Sequence, residues 1–233
     1  MQIQELKSEI NIVDNEILQH QMDSTKVDLK PLRQTRNTDS DDSVTPYSTS
    51  SDFKYDHLNV YKDSDGFYYF DAQGQWQNRN WSSDAGLLAS TGDPIGGEDG
   101  YMIGSLHRDL TIYKKELYGI SEHLGQYNLT NINPDTQARG VGWIHQDKLV
   151  AVKGFKDLNT WRYVGYIKFK FTNGVPARGS KITFKSKVGH TWDSKSLKVN
   201  GFTMNSQGVF ELGFTTETSS KKWRQEGTTI VEF

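Results

Sequence analysis

The first apolar pattern in the chain is helical. Ile3, Leu6, Ile10, Val13 and Ile17 recur at intervals of three and four residues, and the same frame continues through His20, Ser24 and Val27. This is the a/d repeat of a coiled coil, with Ile3, Ile10, Ile17 and Ser24 at a, and Leu6, Val13, His20 and Val27 at d. One helix of roughly 25 residues is marginal alone in water, so it needs partners. β-Branched side chains at both a and d crowd a two-stranded seam, which favours three strands or more. The pattern therefore predicts a parallel homotrimer over residues 1–27. The competing reading is an amphipathic helix packed on its own globular domain; Ile12 and Leu18, off the seam, fit that arrangement or a docking surface. His20 reads as the end of the apolar stretch rather than as a metal or anion ligand.

Pro31 stops the helical pattern, and the Ser/Thr/Asp-rich run that follows carries too little apolar area to fold unaided, so residues 28–52 are expected to be a polar linker. Beyond Asp52 the period changes from helical to two. Asn59–Tyr61 and Phe67–Phe70, joined by Lys62-Asp63-Ser64-Asp65-Gly66, read as a hairpin in which the aspartates form the turn rather than hold calcium. Gly86–Gly100 is a long loop that matches neither the Walker spacing nor Gly-x-Gly-x-x-Gly, so no nucleotide and no other cofactor is expected. Ile103, Leu106, Leu110, Tyr113, Leu117, Ile120 and Leu124 return to spacings near three and four. They predict a helix over residues 105–124, against which the β-branching of Thr111-Ile112 and the interior Gly119 argue.

Short strands separated by turn signals fill the rest: 141–144, 149–152, 162–171, 181–188, 196–199, 202–204, 209–214 and 228–233. Asn200-Gly201 is the strongest hairpin signal among them. The fold class that emerges is mainly β: an N-terminal helical trimeric coiled coil, a mixed β/helix region over 53–134, and an antiparallel, sandwich-like β domain over 135–233 with one inserted helix. If the strands ending at Phe171 and beginning at Lys181 form a hairpin, Lys168, Lys170, Lys181, Lys185 and Lys187 share one solvent face. With Trp161 and Trp192 as flat platforms, that face would suit an anionic surface polysaccharide. A solvated sheet face, or one meeting the acidic half of a neighbouring subunit, accounts for the same lysines.

Composition sharpens this division. Of 28 aromatic residues only Tyr47 precedes Phe53, so the first fifth of the chain does not share the aromatic core. The formal net charge of −2 conceals −5 over residues 1–52, −5 over 53–152 and +8 over 153–233. The absence of cysteine excludes disulfides, thiolate metal sites and cysteine nucleophiles. No run of about 18 apolar residues is present and the N-terminus lacks the features of a secretion signal, so neither membrane insertion nor export is expected. No helix-turn-helix, zinc-finger or RNP pattern supports nucleic-acid binding.

A trimer-type coiled coil, a polar connector and a cysteine-free, glycine- and aromatic-rich β domain together resemble the trimeric fibre and receptor-binding proteins of bacteriophages. The resemblance lies in layout and carries over no functional residues. It implies a virion protein of head or tail, assembled as a homotrimer and contacting other virion subunits, whose distal β domain meets host-surface glycan. Three weak sites on one axis gain avidity without new contacts. No enzymatic activity is expected. The alternatives are a fibre-borne depolymerase, for which Asp71, Asp84, Asp93, Glu98 and Asp99 could supply paired carboxylates, and a purely structural decoration protein. Light scattering on the full chain is expected to give three copies per particle, and Ile10→Asp combined with Ile17→Asp a monomer. A monomeric wild type would remove the trimer.

Overall fold

Period-two alternation gives each strand two chemically different faces, and the chain uses both. The computed structural model describes residues 31–39, 48, 50–84, 89–122, 125–128, 134–152, 155–192, 198–214 and 222–233. The coiled-coil positions Ile3, Leu6, Ile10, Val13, Ile17 and His20 lie outside the described residues. The strands are β1 (Pro31–Asp39), β2 (Phe53–Lys62), β3 (Tyr68–Trp76), β4 (Asp99–Ser105), β5 (Leu110–Ser121), β6 (Gly125–Asn128), β7 (Asp135–Gln137), β8 (Gly140–His145), β9 (Leu149–Val152), β10 (Phe155–Leu158), β11 (Arg162–Phe171), β12 (Lys181–Thr191), β13 (Val199–Met204), β14 (Phe210–Phe214) and β15 (Lys222–Glu232), with a one-turn helix α1 at Trp81–Asp84. One sheet has the order β1-β15-β12-β4-β8-β7, the other β2-β3-β11-β5-β6, and β9-β10 and β13-β14 are separate two-stranded ribbons.

The two large sheets pack face to face. Phe70 and Phe169 of the five-stranded sheet meet Phe184 of the six-stranded sheet at ring-centroid distances of 5.2 and 5.7 Å. Polar tips are satisfied across the same gap: the Tyr101 hydroxyl donates to the Ala72 carbonyl at 2.8 Å, and the Ser186 hydroxyl to that of Tyr55 at 3.0 Å. The aromatic inward faces of β3 and β11 follow directly from Tyr68, Phe70 and Trp76, and from Tyr163, Ile167, Phe169 and Phe171.

The six-stranded sheet is also covered on its outer side. The β13–β14 ribbon lays Phe202, Met204, Leu212 and Phe214 against it, forming a second core with Met102 and Val199. The sheet makes room with glycine. A Cβ at Gly142 would fall 2.3 Å from the Phe202 ring, and one at Gly100 would fall 2.4 Å from Leu212 Cδ1. Alternation of glycine with Tyr101 and Trp143 thus writes a close approach outward and a bulky core inward on the same strands.

Several expectations are corrected. Residues 105–124 are not a helix: Leu110–Ser121 is a central strand of the five-stranded sheet. The register shifts between Lys168 and Phe169 of β11, so Tyr113 has no partner and bulges out. One inserted residue moves the inward-facing register from Leu110 and Ile112 to Lys115 and Leu117, and the three-residue step from Ile112 to Lys115 imitates helical spacing. Asn200-Gly201 lies inside β13 as an irregularity, with Gly201 at φ 144°, and the turn falls at Asn205–Val209, where Asn205 Oδ1 accepts from Gln207 N and Val209 N. Part of the expected linker is strand: β1 pairs along β15 as an edge strand, which backbone hydrogen bonds can hold without an apolar face. Strands from 53–134 and 135–233 interleave in both sheets, so the division at 134/135 separates no independent core. The Asp-turn hairpin is present, with Asp63 Oδ1 accepting from Asp65 N and Phe67 N at 3.0 and 2.8 Å.

Replacing Gly142 by alanine forces a methyl group into the Phe202 ring and is expected to destabilise the fold by about 1–3 kcal/mol, read as a lower urea midpoint with unchanged slope. A midpoint equal to wild type would show that the ribbon does not pack here.

Candidate functional site

The outer side of the five-stranded sheet, over which no described strand is laid, carries ordered rows of polar and aromatic residues, of which Tyr69, Tyr118, Val164 and Tyr166 are only 4–7% exposed. Asn59, Asp71, Tyr166 and Glu116 stand abreast on β2, β3, β11 and β5. The next row is Tyr61, Tyr69, Lys168 and Lys114; on the other side lie His57, Gln73, Val164 and Tyr118. On β2, Asn59 Nδ2 donates to Tyr61 OH at 2.9 Å, and Tyr61 OH lies 3.1 Å from His57 Nε2.

The two carboxylates in the central row have opposite environments. Burial raises Glu116, but hydrogen bonds from Tyr118 and Tyr166, the latter at 2.6 Å, and the Lys114 ammonium at 3.2 Å outweigh it and bring the carboxyl below its ordinary range. Asp71 has no such donors among the described residues, and desolvation pushes it up to about 7. Such a split between neighbouring acids is a recurrent mark of functional carboxylates, although structural networks produce it too.

One end of this face offers an open aromatic surface. The β5 bulge turns Tyr113 outward, leaving it 58% exposed, and its ring meets Phe67 edge-on at 4.9 Å. Lys168 and Lys170 lie 4.2 and 4.1 Å from the Phe67 centroid, which anchors both ammonium groups beside the rings. Neither Tyr113 nor Phe67 stood out in the sequence as a ligand contact. The legible signal was Thr-Ile-Tyr inside a stretch of ambiguous period, which marks a bulge.

The five lysines do not share a face. β11 and β12 belong to different sheets, so Lys168 and Lys170 lie on one outer side of the sandwich and Lys181, Lys185 and Lys187 on the other. β11 has β3 and β5 as neighbours, the first with an aromatic and the second with an aliphatic inward face, while β12 is taken by β4 and β15. Lys185 pairs with Glu226 at 2.5 Å, and Lys187 is buried under the β13–β14 ribbon, donating to Phe210 O at 2.8 Å beside Glu226 at 3.3 Å. Trp192 is a core side chain at 4% exposure, and Trp161 packs partly buried against the same core, so neither is an open platform.

Asp84 and Asp99 belong to a second, fully buried polar group. His190 Nδ1 lies 2.9 Å from Asp99 Oδ2 and its Nε2 3.3 Å from Asp84 Oδ2, with the Ser48 hydroxyl donating to the same Asp84 oxygen at 2.6 Å. Burial opposes a charge on this ring, but the flanking Asp99 and Asp84 carboxyls outweigh it and hold its pKa well above the usual histidine range. Asp147 and His145 complete the group, and Asp99, His145 and Asp147 are the described residues whose ligating atoms converge, within 4.8 Å. At 0–3% exposure these three cannot meet a polymeric substrate. No family model matches the chain and no curated protein matches it.

Because the folded Asp71 titrates near 7 and an unfolded aspartate near 4, its contribution to stability is present below pH 4 and lost as the pH rises through 7. Asp71→Asn is therefore expected to melt as wild type near pH 4 and at least ~3 °C higher above pH 7. Parallel melting curves across that range would contradict the assignment.

Proposed function

We propose that the chain is a subunit of a homotrimeric bacteriophage fibre, on head or tail, whose β-sandwich attaches to host-surface polysaccharide through the outer face of the five-stranded sheet. The observation that carries this reading is the bulge-presented Tyr113 beside Phe67, with Lys168 and Lys170 at its margin and Asp71 and Glu116 beyond it. Glu116 lies three residues from Tyr113 along β5, roughly 10 Å, which is about two sugar rings of contact on one side of the sheet. An exposed aromatic ring covers the apolar face of a pyranose, and amides, carboxylates and ammonium groups address its hydroxyl and acidic substituents. Repetition on three chains would supply avidity to a shallow site.

A second reading has one observation in its favour, the opposite shifts of Asp71 and Glu116. They flank β11, two strand spacings or roughly 10 Å apart at the backbone, which is closer to the arrangement of inverting than of retaining glycoside hydrolysis. Asp71 would be the acid and Glu116 the base.

Binding of the full chain to a panel of neutral and anionic bacterial cell-wall polysaccharides tests both. Tyr113→Ala is expected to weaken binding at least ~5-fold with an unchanged melting temperature, and Lys168→Gln with Lys170→Gln to flatten its dependence on salt. Intact polysaccharide after long incubation supports attachment without turnover; release of sugar that Asp71→Asn abolishes would replace it with hydrolysis. Absence of binding across the panel would leave a structural decoration protein.

A further inference from the structure

The buried polar group at one end of the sandwich brings three carboxyl groups together. Asp84, Asp99 and Asp147 are 0–9% exposed, and His190 lies between Asp84 and Asp99. Buried charges of one sign are not tolerated without compensation.

The geometry shows where compensation is missing. Asp147 Oδ1 accepts from the Thr160 hydroxyl at 2.5 Å and the Tyr163 hydroxyl at 3.1 Å, and His145 Nε2, 2.6 Å from the Tyr163 hydroxyl, lies 3.3 Å from the same oxygen. Its other oxygen, Oδ2, is buried with no hydrogen-bond donor and looks toward the Asp99–His190 pair, 3.6 Å from His190 Nδ1. His145, with a side chain fully buried, also keeps Nδ1 without a partner. Two carboxylates and an imidazole, each offering one ligating atom within 4.8 Å of the others, can close on a single ion. Each is held from a different direction. Asp99 begins β4 and its Oδ1 accepts from Thr191 N at 2.7 Å, His145 ends β8 beside it, and Asp147 follows in the loop before β9.

We propose that Asp99, His145 and Asp147 form a closed, structural site for one divalent cation of the zinc or manganese class. The ion supplies the absent partner of Asp147 Oδ2 and ties β4, β8 and the β8–β9 loop together. Oxygen and imidazole donors without thiolate suit these ions, and complete burial leaves no position for substrate, so the role is stability and not catalysis. Thr160 and Tyr163, which hydrogen-bond Asp147, orient the ligand as outer-shell groups do in metal sites.

Metal analysis of the full chain purified without chelator is expected to give about one equivalent per chain, lost on prolonged chelation with a fall in melting temperature that Zn²⁺ or Mn²⁺ restores. His145→Gln is expected to abolish binding. Thr160→Val, which leaves all three ligands in place and stays testable if the first variant does not fold, should weaken it ~10–100-fold. A wild type that is metal-free, and whose melting temperature neither ion changes, would overturn the site and assign the Asp99–Asp147 pair to a shared proton.

Discussion

Two sheets are held together here by rings rather than by aliphatic chains. Facing sheets stand about 10 Å apart, and the gap is filled by phenylalanine, tyrosine and tryptophan from both sides, of which Phe70, Phe169 and Phe184 are the centre. Rings demand more than bulk. Tyr55 and Tyr101 carry hydroxyls into the gap, and each needs a partner there, found in Ser186 and the Ala72 carbonyl. The register of the sheets is fixed by these pairings as well as by the ladders, because a one-residue slip of β3 or β12 would turn the aromatic face outward.

The same demand explains the division of labour between the two outer sides. The six-stranded sheet spends its outward positions on Gly100, Gly142 and Gly189, so that the β13–β14 ribbon can lie close. That side is consumed by packing, and Lys187 with it. The five-stranded sheet has no ribbon laid over it among the described residues and carries Tyr113, Asp71 and Glu116 instead. A molecule with one covered and one decorated face is directional, with packing on one side and chemistry on the other.

What could be read from the sequence was what alternation alone encodes. β11 emerged with both its ends, and the β2–β3 hairpin with its Asp63 turn, because each pairs a clean two-residue period with local turn chemistry. The inward aromatic sets followed from the same period. Pairing partners did not, since nothing local distinguishes a β11–β12 hairpin from two strands in opposite sheets, and the lysine face failed for that reason. β5 was misread because its bulge mixes two periods, and β1 because an edge strand needs only a backbone. The convergence of Asp84, Asp99, Asp147, His145 and His190 joins α1, β4, the β8–β9 loop, β8 and β12, positions up to 106 residues apart. No spacing rule reaches that far.

The edge strand also has a mechanical meaning. β1 runs antiparallel to β15 through eight paired positions, from Pro31 opposite Val231 to Asp39 opposite Arg224, and it is the first described strand after the heptad segment. Tension applied at Pro31 along the axis of β1 would load the hydrogen bonds of this ladder in shear and together rather than peeling them one at a time. A strand at the sheet's edge is then the one that would grip the body of the molecule under such a pull.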